Sequence, residues 1–164
     1  MSTSLITNLS EIFTADATQT VIKDAAILID GEKIAWIGEA AEAPDADETI
    51  DAGHRAALPG WVDSHTHLVF AGDRSQEFVA RMAGQDYAAG GIAVTTAATR
   101  AASDYDLTRL LLGRAAEALA GGTTYLETKT GYGLGVEEEA RHARIASTVV
   151  DQVTFLGAHL VPAD

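Results

Sequence analysis

The sequence contains no cysteine, only three prolines and only 11 basic residues among 164. Without cysteine, disulfides and thiolate ligands are excluded, so any metal ion must be bound by nitrogen and oxygen donors. The 24 acidic residues give a formal net charge of -13, which repels phosphate backbones and anionic lipid headgroups. We therefore expect no nucleic-acid or membrane partner, and we expect the acidic residues to form a solvated surface.

Long apolar runs are also lacking. Residues 1 to 10 have neither a basic start nor an apolar run, and no later stretch reaches the roughly 18 apolar residues of a membrane-spanning helix. Hydrophobic residues make up 47% and charged residues 21% of the chain, which is typical of a globular protein. A soluble, cytoplasmic protein is the expectation.

The first part of the chain predicts β structure. Apolar runs at 26–29 and 33–37 flank Asp30-Gly31, which is a strong signal for a β-hairpin. An acidic, alanine-rich segment follows at 45–51, and we expect a boundary near residues 52 to 58. Residues 1–57 are thus predicted to be the N-terminal portion of a small β domain.

From residue 58 onward, apolar strand-like runs alternate with helical segments, which favours βα units and a parallel sheet. The predicted strands lie at 58–70 (with its loop), 123–130 and 152–158. A helix should begin at Ser103, which forms a capping box with Asp106, and should stop at Gly121. A second helix should run from Glu137 to Val150. These are about three βα units, whereas a closed (β/α)₈ barrel needs eight and about 250 residues, so we expect residues 58–164 to be an incomplete fold.

His65 and His67 are the main candidates for chemistry. Side chains two apart on a strand point from the same face, and neutral imidazole is a good ligand for zinc and iron. Both histidines fall near the C-terminal end of the first predicted strand, where barrel active sites lie. The alternative is a solvated pair of histidines, but we predict that they bind one divalent or trivalent metal ion, zinc or iron.

The segment from Pro59 to His67 resembles the amidohydrolase superfamily, whose barrel begins with a Pro-Gly-x-x-Asp-x-His-x-His strand after a small β domain. Within it, residues 65–78, 98–103, 127–134 and 154–159 are similar to the imidazolonepropionase family. The resemblance covers residues 20–164 and somewhat less than the first half of a family member. It implies an α/β fold with a partial TIM-type (β/α)₈ barrel, preceded by part of a small β-sandwich domain. The segments 87–91 and 146–152 look several residues shorter than in that family, and the second leads towards His159.

The resemblance implies hydrolysis of the cyclic amide 4-imidazolone-5-propanoate to N-formimidoyl-L-glutamate in histidine degradation. Arg74, whose guanidinium matches a carboxylate in bidentate geometry, is the predicted anchor of the propionate arm. Tyr132 and His159 match substrate-contacting residues, and His159 could donate to the developing oxyanion. The alternatives are a surface ion pair for Arg74, a packed cap for Tyr132 and a carbonyl-bonded core histidine for His159.

In this family the remaining metal ligands and the acid/base carboxylate come from later strands. We therefore expect no complete catalytic set in this chain and no activity of the chain alone, while a homodimer of the full-length protein stays open. His54 and His142 are expected to be solvent-exposed, and no catalytic role is assigned to Lys129. Two other readings stay open: another amidohydrolase, such as a cyclic amidase or deaminase, or a non-catalytic truncated module.

Overall fold

The computed structural model describes residues 2–84 and 91–160, without the side chain of Gln76. The chain is a mixed α/β structure, as predicted, and forms two compact units, Met1–Pro59 and Gly60–Asp164. Most of segment 87–91 lies outside the described residues. Within the described ranges, no helix has both the length and the apolar character needed to cross a membrane.

The first unit is a four-stranded sheet in the order β3-β2-β1-β4. Its strands are β1 (Thr3–Phe13), β2 (Val21–Asp30), β3 (Lys33–Glu39) and β4 (Glu48–Ala57), with a short 3₁₀ turn at Ala40–Glu42. The predicted hairpin is confirmed, because β2 and β3 pair antiparallel around Gly31, whose φ is 60°. By contrast, β4 pairs parallel with β1. Leu9, Ile12 and Ala25 form the buried core of this sheet.

His54 lies within β4, at an irregularity in the pairing of that strand with β1. The register between β1 and β4 shifts at this point, and both Gly53 (φ 63°) and His54 (φ 59°) adopt left-handed conformations. A bulge of this kind adds unpaired residues to one strand and bends it. The His54 side chain is exposed, as expected.

The second unit contains a parallel sheet in the order β5-β6-β7, built from Trp61–Thr66, Thr123–Lys129 and Gln152–Thr154. Three helices connect β5 to β6: α1 (Ser75–Met82), α2 (Gly91–Ala101) and α3 (Asp104–Ala120). A single helix, α4 (Val136–Ala146), connects β6 to β7. The alternation of strands and helices predicted for this half is therefore present, and it brings the carboxyl ends of the three strands to one edge.

Helix α3 begins where the sequence predicts. Ser103 Oγ accepts a hydrogen bond from the Asp106 amide at 3.1 Å and donates one to the Asp106 carboxylate at 2.6 Å. Such a cap pairs one of the first helical amides that has no partner within the helix. Leu107 and Leu111 are completely buried and pack with Val69 and with Ile145 and Ala146 of α4.

Helix α4 differs from its prediction in length and in its buried face. It ends at Ala146 instead of Val150, and β7 ends at Thr154 instead of residue 158. Val149 and Val150 still pack against the core from a turn, so apolar spacing continues past the end of the helix. The expectation that His142 is exposed is wrong: its side chain is fully buried, because it shares one helix face with Ile145 and Glu139.

Candidate functional site

The predicted metal-binding histidines, His65 and His67, lie where β5 leaves the sheet. Thr66 Oγ1 donates to the backbone carbonyl of Glu127 at 2.6 Å, and the amide of Leu68 donates to Thr128 Oγ1 at 2.8 Å. These hydrogen bonds hold the carboxyl end of β5 against β6. Thr66 separates His65 from His67 in the chain, and the centroids of the two imidazole rings are 5.6 Å apart.

Three of the predicted residues meet in a cluster of rings. The imidazoles of His67 and His159 are stacked, with centroids 5.0 Å apart and an interplanar angle of 13°. The Tyr132 ring lies 5.6 Å from His67 and 5.7 Å from His159. His67 follows β5, Tyr132 lies in the loop after β6, and His159 follows β7. Residues that are distant in sequence are thus neighbours at the strand ends.

His67 has the electrostatic character of a metal ligand. Its Nδ1 is buried and has no hydrogen-bond partner among the described residues. Burial, followed by the neighbouring His159 and His65, lowers the pKa of His67 below its ordinary value. A neutral imidazole with an unused nitrogen is the form that binds a metal ion, so the two histidines fit half of a zinc or iron site.

The other half is not formed by the described part of the chain. Within residues 2–84 and 91–160, no three or more His, Cys, Asp or Glu side chains are placed to hold a metal ion. Glu127 is buried near His65, and its Oε1 accepts from Lys129 Nζ and Thr154 Oγ1, each at 2.6 Å, while its Oε2 has no hydrogen-bond partner among the described residues. Burial by itself would raise the pKa of Glu127, but these hydrogen bonds outweigh it and hold the pKa below its ordinary value.

The hydrogen bond of His159 defines what its ring can do. Its Nδ1 lies 3.0 Å from the carbonyl oxygen of Gly131, and because a carbonyl can only accept, Nδ1 must donate. Nε2 is therefore an acceptor in the neutral ring and a donor only in the protonated ring. This hydrogen bond to a carbonyl was part of the alternative for His159, and the substrate contact stays a prediction.

Arg74 and Tyr132 line the same open cavity of about 330 Å³, together with Phe70, Gly72, Asp73 and Thr95. The Arg74 guanidinium donates to both oxygens of Glu77, at 2.9 and 2.7 Å. Its side chain is 42% exposed, so the ion pair is open to solvent and of the weak kind. Arg74 thus lines the cavity, as an anchor of the propionate arm would, and it also forms the surface ion pair given above as the alternative to that role.

Two charged residues outside the motifs, Arg114 and Glu139, bind the backbone of the loops that follow β5 and β6. Arg114 of α3 donates to the backbone carbonyls of Leu68 and Phe70, at 2.6 and 2.8 Å, and lies 3.4 Å above the Phe70 ring. Phe70 in turn lies 6.0 Å from Tyr132. The signal for Arg114 is its position on the apolar face of α3, seven residues after Leu107.

The second is Glu139 of α4, whose buried carboxylate accepts hydrogen bonds from three backbone amides of the loop after β6. A glutamate in the first turn of a helix is ordinary by sequence, because it complements the helix dipole. Its spacing from His142 and Ala146, at i+3 and i+7, is the pattern that places it on the buried face.

Comparison with known proteins gives a consistent set of relatives, although no family model matches the sequence. An imidazolonepropionase from Arthrobacter sp. (strain FB24) is 71% identical over 163 residues, which is 99% of this chain and 40% of that protein. An imidazolonepropionase from Saccharopolyspora erythraea is 58% identical over 99% of this chain and 42% of its own length. The chain thus spans about two fifths of the length of the curated relatives it matches.

Solved structures with a similar fold are more distant in sequence. An atrazine chlorohydrolase from Arthrobacter aurescens TC1, complexed with zinc, is 22% identical, with a TM-score of 0.63 over 93% of this chain and 35% of its own. A triazine hydrolase of the same species gives a TM-score of 0.62 at 20% identity, over 96% of this chain and 36% of its own. These two show a shared fold, and the sequence relatives are more specific: over nearly its whole length the chain is similar to about two fifths of each of several imidazolonepropionases.

Proposed function

We propose that this chain forms the substrate-binding part and half of the metal site of an enzyme that hydrolyses 4-imidazolone-5-propanoate to N-formimidoyl-L-glutamate. The observation that carries the proposal is the meeting of His67, Tyr132 and His159 at the strand ends, with ring centroids 5.0 to 5.7 Å apart. Within this proposal, residues 1–57 are part of a small β-sandwich domain and residues 58–164 are the first units of a TIM-type barrel.

His65 and His67 are the proposed metal ligands of this chain, with the remaining ligands supplied from outside its described residues. When bound, a zinc or iron ion would polarise the ring carbonyl of the substrate and lower the pKa of a water molecule to about 7. The buried, unpaired Nδ1 of His67 and its lowered pKa support this assignment.

Arg74 would bind the propionate carboxylate. Its planar guanidinium offers several N–H donors in a fork that matches a carboxylate, so the propionate arm would bind this fork after a rearrangement of the ion pair with Glu77. Because the ion pair with Glu77 is open to solvent, rearranging it costs little. This arrangement orients the arginine without burying its charge.

Tyr132 and His159 would hold the ring of the substrate. Tyr132 lines the same cavity as Arg74, which supports a contact between its ring and the substrate near the carboxylate arm. His159 would present Nε2 to the substrate, since its Nδ1 is occupied by Gly131. A protonated His159 donates to the carbonyl oxygen that gains negative charge, whereas a neutral His159 accepts from a ring N–H.

The test is a chimera in which this chain replaces the matching 40% of the Arthrobacter relative. Opening of 4-imidazolone-5-propanoate by the purified, zinc-loaded chimera is the expected result. An Arg74→Ala chimera should show a KM raised at least about tenfold, since a hydrogen bond to a charged group contributes about 1.5–3 kcal/mol. Arg109→Ala, which removes an exposed arginine of α3, is the matched control and should leave KM unchanged.

Two outcomes would contradict the proposal. A chimera that folds and binds zinc but leaves 4-imidazolone-5-propanoate intact excludes this substrate. Equal activity on a ring amide without the carboxylate arm would favour a general cyclic amidase, because Arg74 would then contribute nothing to specificity. A chimera that does not fold would show that the chain is not equivalent to the segment it replaces.

A further inference from the structure

Glu139 lies beneath the loop that carries Tyr132. The residue is 2% exposed, and its carboxylate accepts hydrogen bonds from the amides of Gly131 at 2.6 Å, Gly133 at 2.8 Å and Leu134 at 2.8 Å. Hydrogen bonds to an ionised acceptor are about twice as strong as neutral ones. Three of them on one buried carboxylate fix the backbone of this loop.

The loop has a conformation that needs such support. Gly131 has a φ of 137° and Leu134 a φ of 62°, and a left-handed backbone conformation is strained for a non-glycine residue. A side chain at Gly133 would place its Cβ 2.8 Å from the Glu138 Cβ, so the loop packs directly on the start of α4. The carboxylate therefore compensates for strain in a segment that has little freedom to relax.

The same loop positions both rings of the proposed substrate pocket. Tyr132 lies between Gly131 and Gly133, whose amides both donate to Glu139. The carbonyl of Gly131 accepts from His159 Nδ1 at 3.0 Å. A single peptide segment thus transmits the position of the Glu139 carboxylate to Tyr132 and to His159.

We propose that Glu139 is the positioning residue of the substrate pocket, acting through the Gly131–Leu134 loop on the ring of Tyr132 and on the tautomer of His159. This inference rests on the proposed function in one respect, namely that Tyr132 and His159 contact the substrate. Glu139 itself lies below the loop and needs no contact with the substrate or with a metal ion.

Glu139→Gln separates this role from simple packing. Glutamine has the same shape, but it replaces one acceptor oxygen with an NH₂ donor. Its oxygen can still accept from Gly133 and Leu134, which share one oxygen of Glu139, while its NH₂ group faces the N–H of Gly131. The change therefore releases Gly131 selectively, and with it the hydrogen bond that holds His159.

The experiment uses the same chimera in four forms: unchanged, Glu139→Gln, Glu139→Asp and the matched control Glu137→Gln. Glu137 is exposed and lies in the same first turn of α4, so its variant removes the same charge without touching the loop. The measurements are KM and kcat for 4-imidazolone-5-propanoate, affinity for imidazole-4-propanoate, zinc content and amide hydrogen exchange. The ¹⁵N resonances of the His159 ring report its tautomer.

For Glu139→Gln we expect faster exchange of the Gly131 amide, loss of the single Nδ1–H tautomer of His159, a KM raised at least tenfold and an analogue affinity reduced at least tenfold. The expected change in kcat is smaller, and zinc content stays the same because His65 and His67 lie at the carboxyl end of β5, outside the Gly131–Leu134 loop. Glu139→Asp keeps both oxygens and should recover part of the affinity. Glu137→Gln should behave as the unchanged chimera in every measurement.

An unchanged KM and an unchanged analogue affinity in Glu139→Gln would overturn the inference. A parallel loss of zinc, analogue affinity and folded structure would also overturn it, because that result indicates a general structural role. If the unchanged chimera is inactive, the proposed function fails, whereas the exchange and ¹⁵N measurements still decide whether Glu139 positions the loop and His159. The two failures are therefore distinguishable.

Discussion

Acidification should destabilise the fold through His142, and this is the most direct test of the buried face of α4. The ring is fully buried, and neither of its nitrogens has a hydrogen-bond partner among the described residues. Burial lowers the pKa of His142, and Arg141 adds to the effect, while Glu139, Glu138 and Asp104 oppose it. The nearest carboxylate oxygen, on Glu138, is 4.0 Å from Nε2, too far for a hydrogen bond.

Because the native pKa of His142 is depressed, the unfolded chain binds more protons below about pH 6.5. Stability is then unaffected by His142 above that pH and falls as the pH drops, until the native ring also protonates. The slope from one such group cannot exceed about 1.4 kcal/mol per pH unit. Between pH 6.5 and pH 5.0 the loss attributable to His142 is therefore at most about 2 kcal/mol.

The assay is urea unfolding of the 164-residue chain at several values between pH 5.0 and 7.5, compared with His142→Leu. The variant should show a smaller loss of unfolding free energy on acidification and should be at least as stable at pH 7.5, since an unpaired buried polar group costs about 1–3 kcal/mol. The control is His54→Asn, which removes an exposed histidine and retains a residue suited to its left-handed φ. Equal pH slopes for the chain and His142→Leu would refute this account of the buried ring.

Three other changes test the core, the helix cap and the loop support, each by urea unfolding of the same chain. Leu111→Ala should cost about 2–5 kcal/mol because the side chain is fully buried, whereas Leu112→Ala on the exposed face should cost under about 1 kcal/mol. Ser103→Ala should cost about 1 kcal/mol through loss of the α3 cap, and an unchanged midpoint would show that the cap contributes nothing. Arg114→Lys should cost about 1–2 kcal/mol, because a lysine loses the planar contact with Phe70 and one of two charged hydrogen bonds; full retention of stability would contradict the role given to the guanidinium.

A metal titration checks the half-site directly. Since no three His, Cys, Asp or Glu side chains of the described residues are placed to hold a metal ion, the 164-residue chain should bind zinc weakly, and His67→Ala should abolish what binding there is. Calorimetry at pH 7.5 measures both. Tight binding of one zinc ion per chain would show that a third ligand is present where we find none.

Local signals in the sequence account for much of the fold. The Asp30-Gly31 turn and the Ser103 cap are decided by neighbouring residues, and both elements begin where the sequence predicts. The end of α4 is different, because Val149 and Val150 continue the apolar spacing although the helix stops at Ala146. Apolar spacing indicates which residues are buried and not whether they are helical. Here a non-helical segment buries Val149 and Val150, which a longer α4 would also have buried.

For the candidate site, the sequence indicates the residues that face the pocket and misses those that support it. His67, Tyr132 and His159 stand in recognisable motifs at strand ends. Glu139 and Arg114 bind backbone groups of loops outside their own helices. The partners are 5 to 8 residues away in sequence for Glu139 and 44 to 46 residues away for Arg114. Such contacts depend on how loops fold back onto helices, so a single sequence gives only the helical spacing as a signal.

The strand order of the two sheets also determines the order in which the chain can fold during synthesis. In the second sheet, β6 pairs with β5 and β7 pairs with β6. This sheet can therefore grow as each βα segment leaves the ribosome. In the first sheet, β4 pairs with β1 across a separation of 44 residues, so β1 keeps one edge open until β4 has been synthesised. Until β4 has emerged, β1, β2 and β3 can therefore form only a three-stranded sheet with this edge exposed, and exposed strand edges favour aggregation.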